Sequence, residues 1–501
     1  MAIKISGMVS GLDTDAMVQE LVSAYSKKTE TYEKEKTKLE WKQEAWKELN
    51  TQIYDLYSKT ISNMRYSSAY NKKSTTVSDE TKATVTAGSK AVKGTQSLVI
   101  KSLAASGYMT GAELRDKDAK DKLSAASTLG SMGVSDPTKI TLTLGNGDIK
   151  TINVDSTTTI SALVKEFEGA GVNANFDEEN QRFFISSKDV GEDLDFELSG
   201  DTELLKTLGL TEESGAIKLD GTDAEIVLNG ATYKSNDNTF NINGLTITAK
   251  DVTGKDASGN DIAVKLVTDT DVDGIYNTIK DFIKGYNELI NKMDKIYNAD
   301  SAKGYEPLTD EEKEAMSEEE VEKWETKIKD ALFRRDSTVS SLSNALKTVM
   351  RKTFDIDGKT YSLSSFGIAT GSYFTMKENE KNAFHIDGDK DDETSASNDD
   401  KLRAMISSDP DTVADFFSQL STALYNDLTD RMKSTSLSSA FTVYNDKQMK
   451  EEMNDLDKKI DKWEDYVTTQ EDYWYKKFTE MEKAMGELQS QTSALSGLLG
   501  M

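Results

Sequence analysis

The chain has 501 residues, no cysteine, three prolines and a formal net charge of −27. Without cysteine there are no disulfides and no thiolate metal sites, and the acidic balance argues against nucleic acid and anionic membranes as partners. The length suits two to four domains with real cores. No stretch approaches the roughly 20 apolar residues of a membrane span. The first twenty residues hold one Lys and no apolar run long enough for a secretory signal, so either a cytosolic protein or export without a cleaved signal is expected.

Residues 13–66 read as one long helix. Val18, Tyr25, Tyr32, Leu39, Trp46 and Ile53 recur every seventh position, the spacing that holds one seam of a helix against partner helices. Asp13 or Thr14 is expected to start it, with acids in the first turn where the helix dipole favours them. A second seam through Leu21, Lys28, Glu35, Lys42, Leu49 and Leu56 turns polar in the middle. The helix is therefore expected to be loose there until partners pack on it.

From about 72 to 272 the period becomes two. Leu98 with Ile100, Ile140 with Leu142 and Leu144, Ile152 with Val154, Leu194 with Phe196 and Leu198, and Ile262 with Val264 and Leu266 alternate as half-buried strands do. Asn146-Gly147, Asn229-Gly230 and Asn243-Gly244 offer the positive φ angles of tight hairpins. A short helix carries Ile160, Leu163, Val164 and Phe167, with Gly169 expected to stop it.

Helices resume at Gly274, where Ile275, Ile279, Phe282, Tyr286, Leu289, Met293 and Ile296 form another heptad seam. Thr309 with Glu312, and Ser317 with Glu320, have the spacing of capping boxes. Asp409-Pro410 before Val413, Phe416, Phe417, Leu420 and Leu424 reads as an N-cap, a proline in the first turn and an apolar face. Residues 387–400 form an acidic loop. A last helix, about 446–496, carries Met453, Ile460, Val467, Trp474, Met481, Leu488 and Leu495 on the same seven-residue beat, with Gln470 and Lys477 as polar breaks beside it. Amphipathic helices at both ends suit a subunit whose ends join an assembly.

Residues that carry chemistry are scarce, and no enzyme is expected. His385 is the single histidine, and Ala-Phe-His-Ile-Asp around it reads as an alternating strand. No phosphate-binding lysine loop, dinucleotide glycine fingerprint or zinc spacing is present, so no cofactor is expected. Asp269, Asp271, Asp273 and Gly274 match the first half of a calcium loop, but the twelfth position is Lys280, a cation where a bidentate Glu belongs. The plainer expectation is that Asp271 or Asp273 caps the following helix. No catalytic, cofactor or metal residues are assigned.

The segment Ile5-Ser-Gly-Met-Val-Ser-Gly-Leu-Asp-Thr-Asp15, running into Met17-Val-Gln-Glu-Leu21, resembles the N-terminal signature of the bacterial flagellar filament caps, the flagellar hook-associated protein 2 family. The C-terminus is similar too, from Leu456-Asp-Lys-Lys-Ile-Asp-Lys-Trp-Glu464 through Tyr475–Met485 to Ser493–Gly500. Asp281–Ile290, Ser362–Ile368 and Asp409–Phe417 fall between them in the family's order, and the resemblance is weakest over about 108–222.

The resemblance implies an α+β multidomain fold. Long N- and C-terminal coiled-coil helices would form legs (1–70 and 441–501), and a helical domain (273–440) would build the ring. Strand-rich head modules would be inserted at 71–107 with 223–272 and at 108–222. It implies an annular homo-oligomer at the distal filament tip, in some relatives a pentamer, with the subunit number here left open. Such a cap promotes flagellin polymerisation, prevents leakage of exported monomers and is required for elongation and motility. The implied partners are flagellin, further copies of the chain, the flagellar type III export apparatus with an export chaperone, and a host surface. Neither nucleic acid nor membrane insertion is implied, and the location is extracellular. The alternatives are a hook–filament junction protein and a flagellar-tip adhesin. Under this reading the thirteen heptad residues named above make the coiled-coil and filament contacts. The tails Ile3–Leu12 and Ala494–Met501 order on docking, and residues 70–435 are expected to fold and self-associate without the legs.

Overall fold

The computed structural model describes residues 10–118, 122–135, 137–372, 374 and 376–499. Of the expected docking tails, 3–9 and 500–501 lie outside these residues. The chain forms two compact units: one from the segments before Asn71 and after Val272, the other from Asn71–Val272.

In the first unit the N-terminal helix runs Thr14–Asp55, with the Asp13 carboxylate accepting the Ala16 N–H at 3.0 Å. It continues as a π turn over Leu56–Ile61 and ends at Met64. A π turn holds an extra residue, and here adjacent Leu56 and Tyr57 are both buried along with Ile61. The central helix Val272–Tyr297 buries Ile275, Ile279, Phe282, Tyr286, Leu289 and Met293 as expected, and also Tyr276, Ile283 and Ile290. Its apolar face is wider than one heptad seam because it is packed on two sides. Both capping boxes form: the Thr309 and Ser317 hydroxyls accept the Glu312 and Glu320 N–H groups, and each Glu returns a bond to its cap's N–H. Asp409 caps Pro410–Arg431 through the Thr412 N–H at 3.2 Å. That helix delivers Phe416 and Phe417 to an aromatic cluster with Phe366, at ring separations of 4.7 and 5.6 Å.

The N-terminal helix supplies much of this core. Trp46 stacks on Tyr444 (5.2 Å, 6°) and meets Phe333 edge-on at 4.7 Å. Tyr57 stacks on Tyr425 at 4.5 Å and shares a 3.0 Å hydrogen bond with Thr429. Trp46, Leu49, Ile53, Leu56, Tyr57, Ile61 and Met64 are all buried. At about 1.5–3 kcal/mol per side chain, losing these seven matches or exceeds the roughly 5–15 kcal/mol that stabilises a whole domain. The expectation that residues 70–435 fold on their own is therefore corrected, because such a fragment lacks one wall of its core.

The second unit holds strands β1 (Lys73–Val77), β2 (Ala83–Ala87), β3 (Gly94–Ser102), β4 (Tyr108–Thr110), β5 (Thr138–Leu144), β6 (Ile149–Val154), β7 (Val172–Asp177) and β8 (Arg182–Ser187). They are followed by β9 (Phe196–Gly200), β10 (Ile217–Leu219), β11 (Ala224–Leu228), β12 (Ala231–Ser235), β13 (Thr239–Ile242), β14 (Leu245–Ala249) and β15 (Val264–Thr270). A five-stranded sheet, β1-β15-β3-β11-β12, and a three-stranded sheet, β13-β14-β2, share a core of Leu98, Ile100, Ile226, Phe240, Ile247 and Leu266. The sheets β10-β4-β8-β7 and β6-β5-β9 enclose a second core around Ile140, Leu142, Ile160, Leu163, Phe167 and Phe183. Asn229-Gly230 and Asn243-Gly244 turn β11 into β12 and β13 into β14, all four residues having positive φ.

Some expected details shift. Leu194 lies in a short 3₁₀ turn ahead of β9, and Ile262 is exposed ahead of β15. Gly169 stays inside the helix Ile160–Ala170, and Gly171, at φ +117°, ends it. Only Gly171 takes the left-handed conformation that a terminating glycine supplies.

Candidate assembly surface on the terminal helices

The C-terminal helix, Asp446–Leu499, runs antiparallel to the N-terminal one. The partner number falls as the first rises: Ser10 pairs with Glu482, Tyr25 with Tyr466, Lys36 with Asp457 and Trp46 with Tyr444. On the N-terminal side Val18, Trp46 and Ile53 are buried, and Tyr25, Tyr32 and Leu39 are half-buried. On the C-terminal side Ile460 is buried, and Met453, Val467, Trp474 and Met481 are half-buried. Leu488 and Leu495 stand 62% and 60% exposed. Both lie past Glu482, on a stretch extending about 25 Å at 1.5 Å per residue.

The second seam is not the expected one. Leu21 is 41% exposed, and Lys28 and Glu35 face solvent, while Leu49 and Leu56 belong to the helical core. The more covered flank lies one residue further along, at Val22, Thr29, Lys36, Gln43 and Asn50, the first two buried and the rest half-buried. The spacing of four from Val18, Tyr25, Tyr32, Leu39 and Trp46 marks these positions in the sequence, but their polar side chains hid them. Burial is deepest at the outer end, Val18 and Val22, and at the inner end, so the thin part of the pair is its middle.

That middle is polar. The Thr29 hydroxyl is buried without a hydrogen-bond partner. Lys36 reaches Asp457 at 2.7 Å, a bond that raises the ammonium's pKa. Burial, and then repulsion from Glu464 and Glu30, pushes the Glu33 carboxyl above its ordinary value. Lys28 and Lys459 both approach the Tyr32 ring, at 5.0 and 5.5 Å, so cation–π contact replaces an apolar layer. At the outer end Glu482 is buried and accepts from the Ser10 N–H at 3.2 Å and from its hydroxyl.

The other sequence candidates lie elsewhere. His385 sits in the short strand Phe384–Ile386, its Nδ1 2.6 Å from Asp392 and its Nε2 closed to solvent. Asp269 and Thr270 end β15 and Val272 opens the central helix, so the calcium-like segment is a strand–helix junction, with Asp273 inside the helix's first turn. Lys280 binds Asp389 at 2.6 Å and Asp391 at 2.7 Å in the acidic loop. Burial opposes its charge, but the two carboxylates outweigh burial and raise the pKa. Among the described residues no group of three or more His, Asp or Glu side chains is arranged to hold a metal ion.

Antiparallel terminal helices rooted in a helical body, with a strand-rich insert between them, define a structural subunit with coiled-coil ends. The profile of the flagellar hook-associated protein 2 C-terminus matches residues 221–490, and that of its N-terminus matches 10–107. The chain belongs to the flagellar hook-associated protein 2 family, the flagellar cap proteins. The flagellar hook-associated protein 2 of Halalkalibacterium halodurans is 22% identical over 98% of this chain and 99% of its own length. That of Thermotoga maritima is 27% identical over 70% of this chain and 53% of its own. The crystal structure of the D1-D2-D3 domains of the flagellar cap protein FliD from Escherichia coli shares the fold, with a TM-score of 0.53 at 19% identity over 82% of this chain and 99% of that one.

Proposed function

We propose that this protein caps the flagellar filament. Copies of the chain form a closed ring at the distal tip, where the ring promotes flagellin polymerisation, keeps exported monomers from leaking away and so supports elongation and motility. The helical body builds the ring, the strand-rich unit forms the outer head, and the paired terminal helices are legs that reach flagellin. The heptad residues Val18, Tyr25, Tyr32 and Leu39, with Met453, Ile460, Val467, Trp474, Met481, Leu488 and Leu495, make the leg contacts, while Trp46 and Ile53 root the leg in the helical body. The observation that carries this reading is the end of the C-terminal helix, where Leu488 and Leu495 present apolar side chains to solvent. A cap must hold the tip yet shift with each added subunit, which calls for many weak contacts, and a seam broken by Thr29, Lys36 and Gln43 suits that need. The chain reaches the tip through the flagellar type III export apparatus with an export chaperone, and acts outside the cell. A role at a host surface is an alternative for the head.

The test is a chromosomal replacement that ends the chain after Glu482. The cells should secrete flagellin into the medium, grow short filaments and lose motility, while the truncated protein keeps its thermal unfolding profile. Full-length filaments on these cells would show that the overhanging helix does not couple cap to filament.

A further inference from the structure

The terminal helices bury a seam between them, yet a second set of large apolar residues stays outside it. Met17 and Leu21 of the N-terminal helix and Tyr466 and Tyr473 of the C-terminal helix stand 40–49% exposed, and Leu488 and Leu495 more so. At about 100° per residue, Tyr466, Tyr473, Leu488 and Leu495 fall within about 60° of one another around their helix, and Lys459 and Lys477 fall in the same arc. Met17, Leu21 and Lys28 share an arc of about 40° on the other helix. The two arcs border one side of the pair, because Lys28 and Lys459 converge on the Tyr32 ring at 5.0 and 5.5 Å. Glu35, next on the N-terminal arc, closes it toward the helical body. The result is an apolar stripe set with three lysines, about 54 Å long from Lys459 to Leu495 at 1.5 Å per residue.

Shape and charge together say what fits it. An apolar stripe along one side of a helix pair, stepping by seven, is the groove that a third helix fills. The lysines set the sign of that helix. In a chain with 88 acids against 61 bases, Lys28 and Lys459 are exposed and form no ion pair among the described residues. Lys477 lies over the Tyr473 ring at 5.8 Å, with Glu480 at 3.4 Å. Charges flanking a helical seam select the opposite charge in the partner, and here they select carboxylates. A second copy docking through the same face would set lysine against lysine.

We propose that a helix of flagellin, apolar on one side and acidic along its flank, lies on this stripe as a third helix, with carboxylates at Lys28 and Lys459. The proposal rests on the cap reading and deepens it, naming the face and the charge by which the legs hold the filament. Exposed ion pairs are individually weak, which suits a contact remade with each added subunit.

The test uses the full chain and flagellin filaments sheared to expose their ends. Wild type should bind the ends, and added salt should weaken binding. Leu21→Glu with Tyr473→Glu should weaken it at least tenfold, and Lys28→Glu with Lys459→Glu as much. Lys28→Gln with Lys459→Gln should flatten the salt dependence, which a purely structural role would leave unchanged. Asp472→Lys, at an exposed position about 100° outside the arc, should bind as wild type does. Exchange resolved by segment should show the helix pair intact in every variant. If wild type bound the ends and either pair of Glu variants bound as tightly, this contact alone would be overturned. A wild type that does not bind filament ends would overturn the contact and the cap reading together.

Discussion

Trp46 and Tyr25 occupy equivalent positions of one heptad seam, yet the structure gives them different tasks. Trp46 is 3% exposed, stacked on Tyr444 and edge-on to Phe333 in the helical body, whereas Tyr25 is half-buried and meets Tyr466 edge-on, at 5.2 Å. Replacing a fully buried large aromatic by Ala costs about 3–5 kcal/mol, a range that includes the loss of aromatic pairs worth about 0.5–1.5 kcal/mol each. About 4 kcal/mol is therefore expected for Trp46→Ala, a large share of the roughly 5–15 kcal/mol a typical domain has. For Tyr25→Ala, half the burial and one ring pair give about 1–2 kcal/mol, confined to the helix pair. Hydrogen–deuterium exchange resolved by segment separates the two. At about 1.4 kcal/mol per factor of ten, Trp46→Ala should lower protection in Pro410–Arg431 by roughly three orders of magnitude. Tyr25→Ala should lower it only in the Thr14–Asp55 helix and its partner. If both variants changed protection in the outer helices alone, Trp46 would belong to the leg and the core assignment would be wrong.

Thr29→Val removes a buried hydroxyl without a partner, and should stabilise the terminal helix pair by about 1 kcal/mol in exchange protection. Glu33 has its pKa raised in the folded chain by burial and then by Glu464 and Glu30, so its ionised form weakens the pair at neutral pH. Pairing should tighten as pH falls through the raised value, and the gain should be complete below the ordinary carboxyl range. Glu33→Gln should show that gain already at pH 7 and be indistinguishable from wild type at pH 3, as read by exchange across Thr14–Asp55. Gly244→Ala combines φ +79° with a Cβ 2.6 Å from the Ala91 nitrogen, whereas Gly230→Ala has φ +86° and nothing within 4 Å. The second should cost about 1 kcal/mol and the first several times more, in urea unfolding of the strand-rich unit.

Much of this arrangement is legible in the residues themselves. Seven-residue spacing marks both terminal helices, alternation marks β3, β5 and β6, and Asn-Gly pairs mark the two hairpins at Gly230 and Gly244. Four features escape such reading, each for a physical reason. Periodicity reports that a face is apolar but not what covers it, so Trp46 and Ile53 look like leg residues although they sit in the helical core. The flank through Thr29, Lys36 and Gln43 is polar, and only the register against the C-terminal helix reveals it. The π turn at Leu56–Ile61 has no local sequence mark, and it shows only in the burial of adjacent Leu56 and Tyr57 together with Ile61. The left-handed backbone at Phe441, φ +64°, is equally silent, since Asn50, nearly 400 residues earlier in the chain, holds that turn.

The central claim is that copies of this chain close into a cap. Electron microscopy of the purified full-length protein tests it most directly. The account predicts closed rings of uniform diameter that also bind the ends of flagellin filaments. Open helical polymers, or single subunits at every concentration, would contradict it.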